Sequence, residues 1–222
     1  MGKWTRRAFI TTGVLTGGAL VLGVAIRPGN RARKVKGLIA GEGETVMNIW
    51  LKIALDNTIT VIVPHAEMGQ GTHTTLPMML TDEMDADWNK VHMMEAPGNK
   101  EYANYALAKG FTVGDKDFPS FLIDTVDGVF LTITKQMGLQ MTGGSSSVRF
   151  TGNLAMRIAG AAAKAVLLQA AADRWEVPLE ELEAKNSYIT HQASNRSEPF
   201  ISFAPQAVEL SQPAKPKRKT PE

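Results

Sequence analysis

Apolar and polar positions alternate first in "NIWLKIAL", residues 48–55, where Ile49, Leu51, Ile53 and Leu55 fall on one face. A period of two predicts a strand. The next run, "TITVIVPH" at residues 58–65, is rich in β-branched residues, and Asp56-Asn57 lies between the two. The pair predicts a β-hairpin with a two-residue turn. Beyond it the period changes. Leu76, Met79, Leu80 and Met84 recur at helical spacing, predicting a helix over residues 74–85 that starts close to Gly71–His73. Pro77 then belongs to its first turn, where the missing N–H does no harm. "NKVHMMEAP", residues 89–97, predicts another strand with its Met pair as core filler.

Residues 98–116 carry no period and read as irregular, whereas "FLIDTVDGVFLTIT" at 121–134 reads as helix. The clearest helix follows. Leu154, Ile158, Ala161, Ala165, Leu168, Ala172 and Trp175 form a continuous apolar stripe, ending near Val177-Pro178 because the residue before proline resists helical geometry. Its alanine content predicts close packing against a sheet or another helix. "VPLEELE" at 177–183 reads as a short helix started by Pro178, "NSYITHQ" at 186–192 as a strand, and "SFAPQAVEL" at 202–210 as a last short helix. No internal repeat is present. The class that follows is α+β, with a hairpin, a mixed sheet and packed helices.

Composition changes this picture mainly at the ends. The 222 residues are 44% apolar and 21% charged, as in an ordinary globular protein. The net charge of +2 hides an uneven spread, with basic residues gathered at Lys3, Arg6 and Arg7, over 27–36, and over 215–219. A nucleic-acid partner would call for charge on the folded face with aromatics between, so none is expected. The absence of cysteine excludes disulfides, thiolate metal sites and all-cysteine iron–sulfur clusters. The histidines at 65, 73, 92 and 191 lack zinc-site spacing and read as surface or packing residues. "TRRAFITTG" followed by "GVLTGGALVLGVAI" sets paired arginines before a short, Gly-rich apolar run. Residues 1–26 thus read as a twin-arginine-type signal or uncleaved anchor, and 27–44 as a linker. Cargo exported by that route crosses folded, which suits a protein that carries a cofactor. The expected location is the periplasm or the periplasmic face of the inner membrane.

Two loops carry the candidate chemistry. In "PHAEMGQGTHTTLP", residues 64–77, Gly69 and Gly71 bracket Gln70 between a strand and a helix start. Free N–H groups of a first helical turn favour an anion, and a glutamine amide both donates and accepts. In "TGGSSSVRFTG", residues 142–152, two glycines and Ser145, Ser146 and Ser147 stand directly before the stripe helix, a second anion cradle. Either loop alone is a weak signal, since a Gly-Ser loop is more often a plain capped turn. Neither matches a P-loop or a GxGxxG fingerprint, which excludes a simple nucleotide in a standard fold.

The stretches "VIVPHAEMGQGTHTTLPMMLTDEMDADWNKV" and "TGGSSSVRFTGNLAMRIAGAAAKAVLLQAAADRWEV" together resemble the large molybdopterin-binding subunits of the xanthine dehydrogenase and aldehyde oxidase family. The branch they resemble most is that of isoquinoline 1-oxidoreductase β-subunits and membrane-associated aldehyde dehydrogenases. The resemblance implies that Gln70, with Gly69 and Gly71, contacts a molybdopterin-type molybdenum cofactor, the cytosine dinucleotide form being one option. It implies that Ser145 and Ser147 bind the phosphate region, with Thr142 and Gly144 shaping that loop. Substrates would be aldehydes or N-heterocycles, hydroxylated with water-derived oxygen, with electrons passing to an iron–sulfur subunit and in this branch often to a cytochrome c subunit. Family members are several-fold longer. A later glycine-rich loop and a C-terminal glutamate base have no counterpart here, and Glu67 reads as a hydrogen-bonding loop residue. Residues 45–210 are therefore expected to form a partial molybdopterin-binding domain, and 211–222 a basic Pro/Lys-rich tail. The chain would be a truncated or split subunit, inactive alone until joined to the remainder, with no catalytic residue and no protein metal ligand assigned. The alternative is a non-catalytic exported binding or assembly remnant of that fold.

Overall fold

The computed structural model describes residues 29–220; the proposed export segment at 1–26 lies outside them. Helix α1 (Gly29–Ile39) leads into strands β1 (Thr45–Asn48), β2 (Leu51–Ile53) and β3 (Ile59–Val63). Helix α2 (Thr72–Met84) then crosses to β4 (Val91–Glu95). These strands form one mixed sheet in the order β1-β2-β3-β4, antiparallel except for the parallel β3–β4 pair. Helices α3 (Tyr105–Val113) and α4 (Ser120–Gln136) follow, then a π-helical stretch, Ser147–Met156, continuous with α5 (Arg157–Trp175). Strands β5 (Leu182–Lys185), β6 (Tyr188–His191) and β7 (Arg196–Pro199) make a separate antiparallel sheet, and α6 (Phe200–Ala207) closes the order. The class is α+β, as the sequence pattern implied.

The hairpin is present as β2–β3, with Leu51 opposite Val61 and Ile53 opposite Ile59. Its turn has three residues and not two. Ala54 N–H donates to Thr58 O and Asn57 N–H to Ala54 O, both at 2.9 Å, with Asn57 in the left-handed region at φ 68°. That is a type I turn closed by a left-handed residue, a geometry asparagine tolerates. Leu55 therefore leaves the buried face and is 75% exposed. The single predicted strand 48–55 is interrupted: Asn48 ends β1, residues 49–50 turn the chain back antiparallel, and only Leu51–Ile53 is β2.

Helix α2 begins at Thr72, so Pro77 sits in its second turn, not its first. Leu76, Leu80 and Met84 are fully buried against α5, with Met79 beside them. Gly160 makes that crossing possible, since a Cβ there would lie 2.0 Å from Leu80 O. The predicted α5 stripe is displaced only in part, since Ala161, Ala172 and Trp175 are buried as expected. The fully buried positions are Met156, Ala163, Leu167, Ala170 and Ala171, while Leu154, Ile158, Ala165 and Leu168 are only partly buried. Small side chains along α5, with Gly160 at the crossing, let α2 approach closely. Helix α3 replaces the expected irregular stretch; its interior Gly110 meets Phe150, where a Cβ would be 2.1 Å from Cγ. "VPLEELE" yields only a 3-10 turn, Leu179–Glu181, before β5, and Asn186 and Ser187, both at positive φ, form the two-residue turn to β6.

Residues 212–219 pack back onto the body. Gln212 Nε2 donates to Met47 O, Lys219 N–H donates to the buried Glu83 carboxylate at 2.8 Å, and Arg157 Nη2 donates to Lys219 O at 2.6 Å.

Candidate functional site

The first loop joins the end of β3 to α2, and its N–H groups are already engaged. Glu67 Oε1 accepts from Gly69 N–H at 2.8 Å and Gly71 N–H at 3.0 Å, while Oε2 accepts from His73 N–H at 3.1 Å. A protein carboxylate thus takes both loop glycines and His73, one N–H of the first helical turn, so the expected anion cradle is partly filled from within. Hydrogen bonds from Gly71 and then His73 hold the Glu67 carboxyl down at about 2. Gly69 and Gly71, at φ 89° and 80°, supply the left-handed turns that fold the loop onto this carboxylate.

Gln70 is spent in the same way. Its Oε1 accepts from Met68 N–H at 2.6 Å, and its Nε2 donates to Ala66 O at 2.8 Å and to Gly143 O at 3.3 Å. The last of these bonds reaches the second loop. Thr142 Oγ1 returns the contact, accepting from Ala66 N–H at 2.8 Å. The two loops, predicted separately from sequence, are therefore stitched edge to edge. One acceptor lone pair of Gln70 remains.

His65 and Asn104 fix the second loop from below. The His65 ring contacts Met141 O through Nδ1 at 3.1 Å and Thr151 Oγ1 through Nε2 at 2.8 Å. A carbonyl opposite Nδ1 places the ring proton on that nitrogen. Burial lowers the His65 pKa and keeps the ring neutral. Asn104 accepts from Met141 N–H through its side chain and donates its own N–H to Leu139 O. Sequence reasoning left both residues without a role; only the position of His65, just before the glycine loop, could have signalled one.

Within the second loop the serines separate. Ser147 is fully buried, and its Oγ accepts from Gly143 N–H at 2.7 Å, so its hydroxyl closes the loop from inside. Ser145 is exposed and Ser146 half-buried, both at the start of the helix. With Gly110, Phe111, Arg149 and Phe150 they line an open groove of about 400 Å³. Arg149 lies over the Phe150 ring at 5.1 Å and pairs with Asp115 at 2.7 Å. Gly144 has an ordinary φ, and a Cβ built on it meets nothing within 4 Å. Among the described residues, nothing in backbone or packing requires glycine there.

No protein-family model matches the chain. Over 198 residues, 88% of its length, it is 28% identical to isoquinoline 1-oxidoreductase subunit beta of Brevundimonas diminuta. Over 167 residues it is 32% identical to a membrane-bound aldehyde dehydrogenase of Gluconacetobacter polyoxogenes, whose name also carries pyrroloquinoline-quinone. The chain is related to these oxidoreductases. The resemblance drawn from the two loops therefore holds over most of the sequence. The chain spans only about a fifth of the length of these curated relatives, 21% of the first and 17% of the second.

Proposed function

We propose that this chain supplies one wall of a molybdopterin-type cofactor site in an exported oxidoreductase acting on aldehydes or N-heterocycles. The observation that carries the reading is the stitched loop pair with open space at Gly144. A glycine that neither φ nor internal packing demands suits the close approach of a ligand from outside. The donor set fits an anionic heterocycle: Ser145 and Ser146 hydroxyls, N–H groups at a helix start, Arg149, and the exposed Phe111 face. In this reading Ser145 and Ser146 would hold the phosphate region with Arg149 beside them, Gln70 would offer its remaining acceptor, and Ser147 and Thr142 would shape the loop. When bound, the group supplies the redox chemistry; the chain's own residues bind and orient it.

Glu67 is no candidate base. A general base works best with a pKa near the operating pH, and this carboxylate is held at about 2 with its oxygens occupied. Proton abstraction would then fall to the remainder of the subunit, and iron–sulfur and cytochrome c subunits would take the electrons. Periplasmic export through the paired arginines completes the proposal. The name of the second relative supports a competing occupant, an anionic quinone in the same cradle. The non-catalytic exported remnant is the reading left if neither binds.

Purification of the chain together with the remainder of such a subunit, followed by metal, pterin and quinone analysis, decides among these. Molybdenum with pterin is expected. A Gly144→Leu variant should fold normally and lose most of the bound group. Full occupancy in that variant, or quinone without molybdenum, would sink the cofactor assignment.

A further inference from the structure

Helix α4 packs one face inward and leaves an apolar stripe on the other. Its inner face buries Gly128, Leu131 and Thr134, packs on α3, and is pinned by the Lys109–Asp127 and Lys135–Glu101 ion pairs. On the opposite side, Leu122, Val126, Val129, Ile133 and Met137 recur at intervals of four, three, four and four. Leu122, Val129, Ile133 and Met137 leave 38–64% of their surface to solvent. No described element covers this stripe. An apolar stripe of this length left uncovered marks an interaction surface.

We propose that the outer face of α4 docks the polypeptide that corresponds to the rest of the longer relatives, whether carried on this chain or on a separate one. Three observations select that occupant. The relatives devote about four-fifths of their length to sequence outside the match, so a protein of this kind has a large body to place against it. The stripe ends close in sequence to the candidate site, since Met137 leads through residues 138–141 into the second loop, with Met141 also exposed. An interfacial membrane helix would carry cations along the stripe's flanks, whereas the one cation of α4, Lys135, is turned inward to Glu101. The inference leans on the functional reading only in taking the longer relatives as its template.

The test uses the full chain and, as probe, the segment of the Brevundimonas diminuta subunit that follows its matched region. Association is measured by sedimentation and by copurification. The Val129→Glu/Ile133→Glu double variant should fold with an unchanged circular dichroism spectrum and bind the probe at least about tenfold more weakly, since centrally placed apolar contacts dominate an interface. Leu55→Glu, an exposed apolar position on the hairpin turn, should bind as the wild type does. Failure of the wild type to bind, or equal binding by the double variant, overturns the proposal. So does a wild-type homodimer that the double variant abolishes, which assigns the face to a second copy, or flotation with anionic vesicles that it abolishes, which assigns it to a membrane. A complex that forms without molybdenum or pterin would sink the cofactor reading and leave the docking face standing.

Discussion

Glu67 acts at the scale of a single side chain, and its effect has a definite sign. Its carboxyl is depressed from an ordinary value of 4.5 to about 2 by N–H groups of Gly71, His73 and Gly69 that exist only in the folded loop. The stabilisation is therefore fully present above pH 4.5 and is lost as pH falls through the folded value near 2. Glu67→Gln should melt at a lower temperature than the wild type at pH 7, and the two should converge near pH 2. A carboxyl titration followed by NMR gives the folded value directly; an unshifted midpoint would show that the cap does not form in solution. Glu67 could be placed beside the loop from sequence, but not as the group that fills the helix start. The residues between Glu67 and the helix had to curl back through two left-handed glycines before one carboxylate could reach three N–H groups.

Among elements, the α2–α5 crossing depends on one missing side chain. Gly160→Ala would set a methyl group 2.0 Å from Leu80 O, a backbone atom that cannot turn aside. Destabilisation of about 1–3 kcal/mol is expected from such overpacking, measured by urea unfolding; a neutral result would mean the helices cross elsewhere. The elements legible in the sequence were the hairpin, α2, β4, α4, α5, β6 and α6, with the clearest period in the hairpin, α2 and α5. Helix α3 was hidden because Gly110 breaks its pattern, although that glycine is what admits Phe150. The buried face of α5 was only partly placed, because Ala163, Ala170 and Ala171 lie deepest beside Leu167 while Ile158 and Leu168 stay half-buried. The π-turns of Ser147–Met156 left no signal that a 3.6-residue period could register, and with them Ser147 comes to lie inside the loop.

For the molecule as a whole, Glu83 ties distant parts together, since its buried carboxylate meets Arg157 at 2.6 Å and the backbone of Lys219 at 2.8 Å. Glu83→Ala leaves the Arg157 guanidinium without its partner and should cost about 3 kcal/mol. It should also speed tryptic cleavage at Lys217–Lys219 relative to wild type; equal rates would mean these residues do not dock. The bond from Gln70 to Gly143 spans 73 residues of chain, and that from Thr142 to Ala66 spans 76. Contacts of such sequence separation repay their loop-closure entropy late, after the intervening sheet and helices have assembled. The cradle is thus an end product of folding. A cofactor would arrive as a passenger at a completed dock, unable to serve as the template on which the chain first collapses.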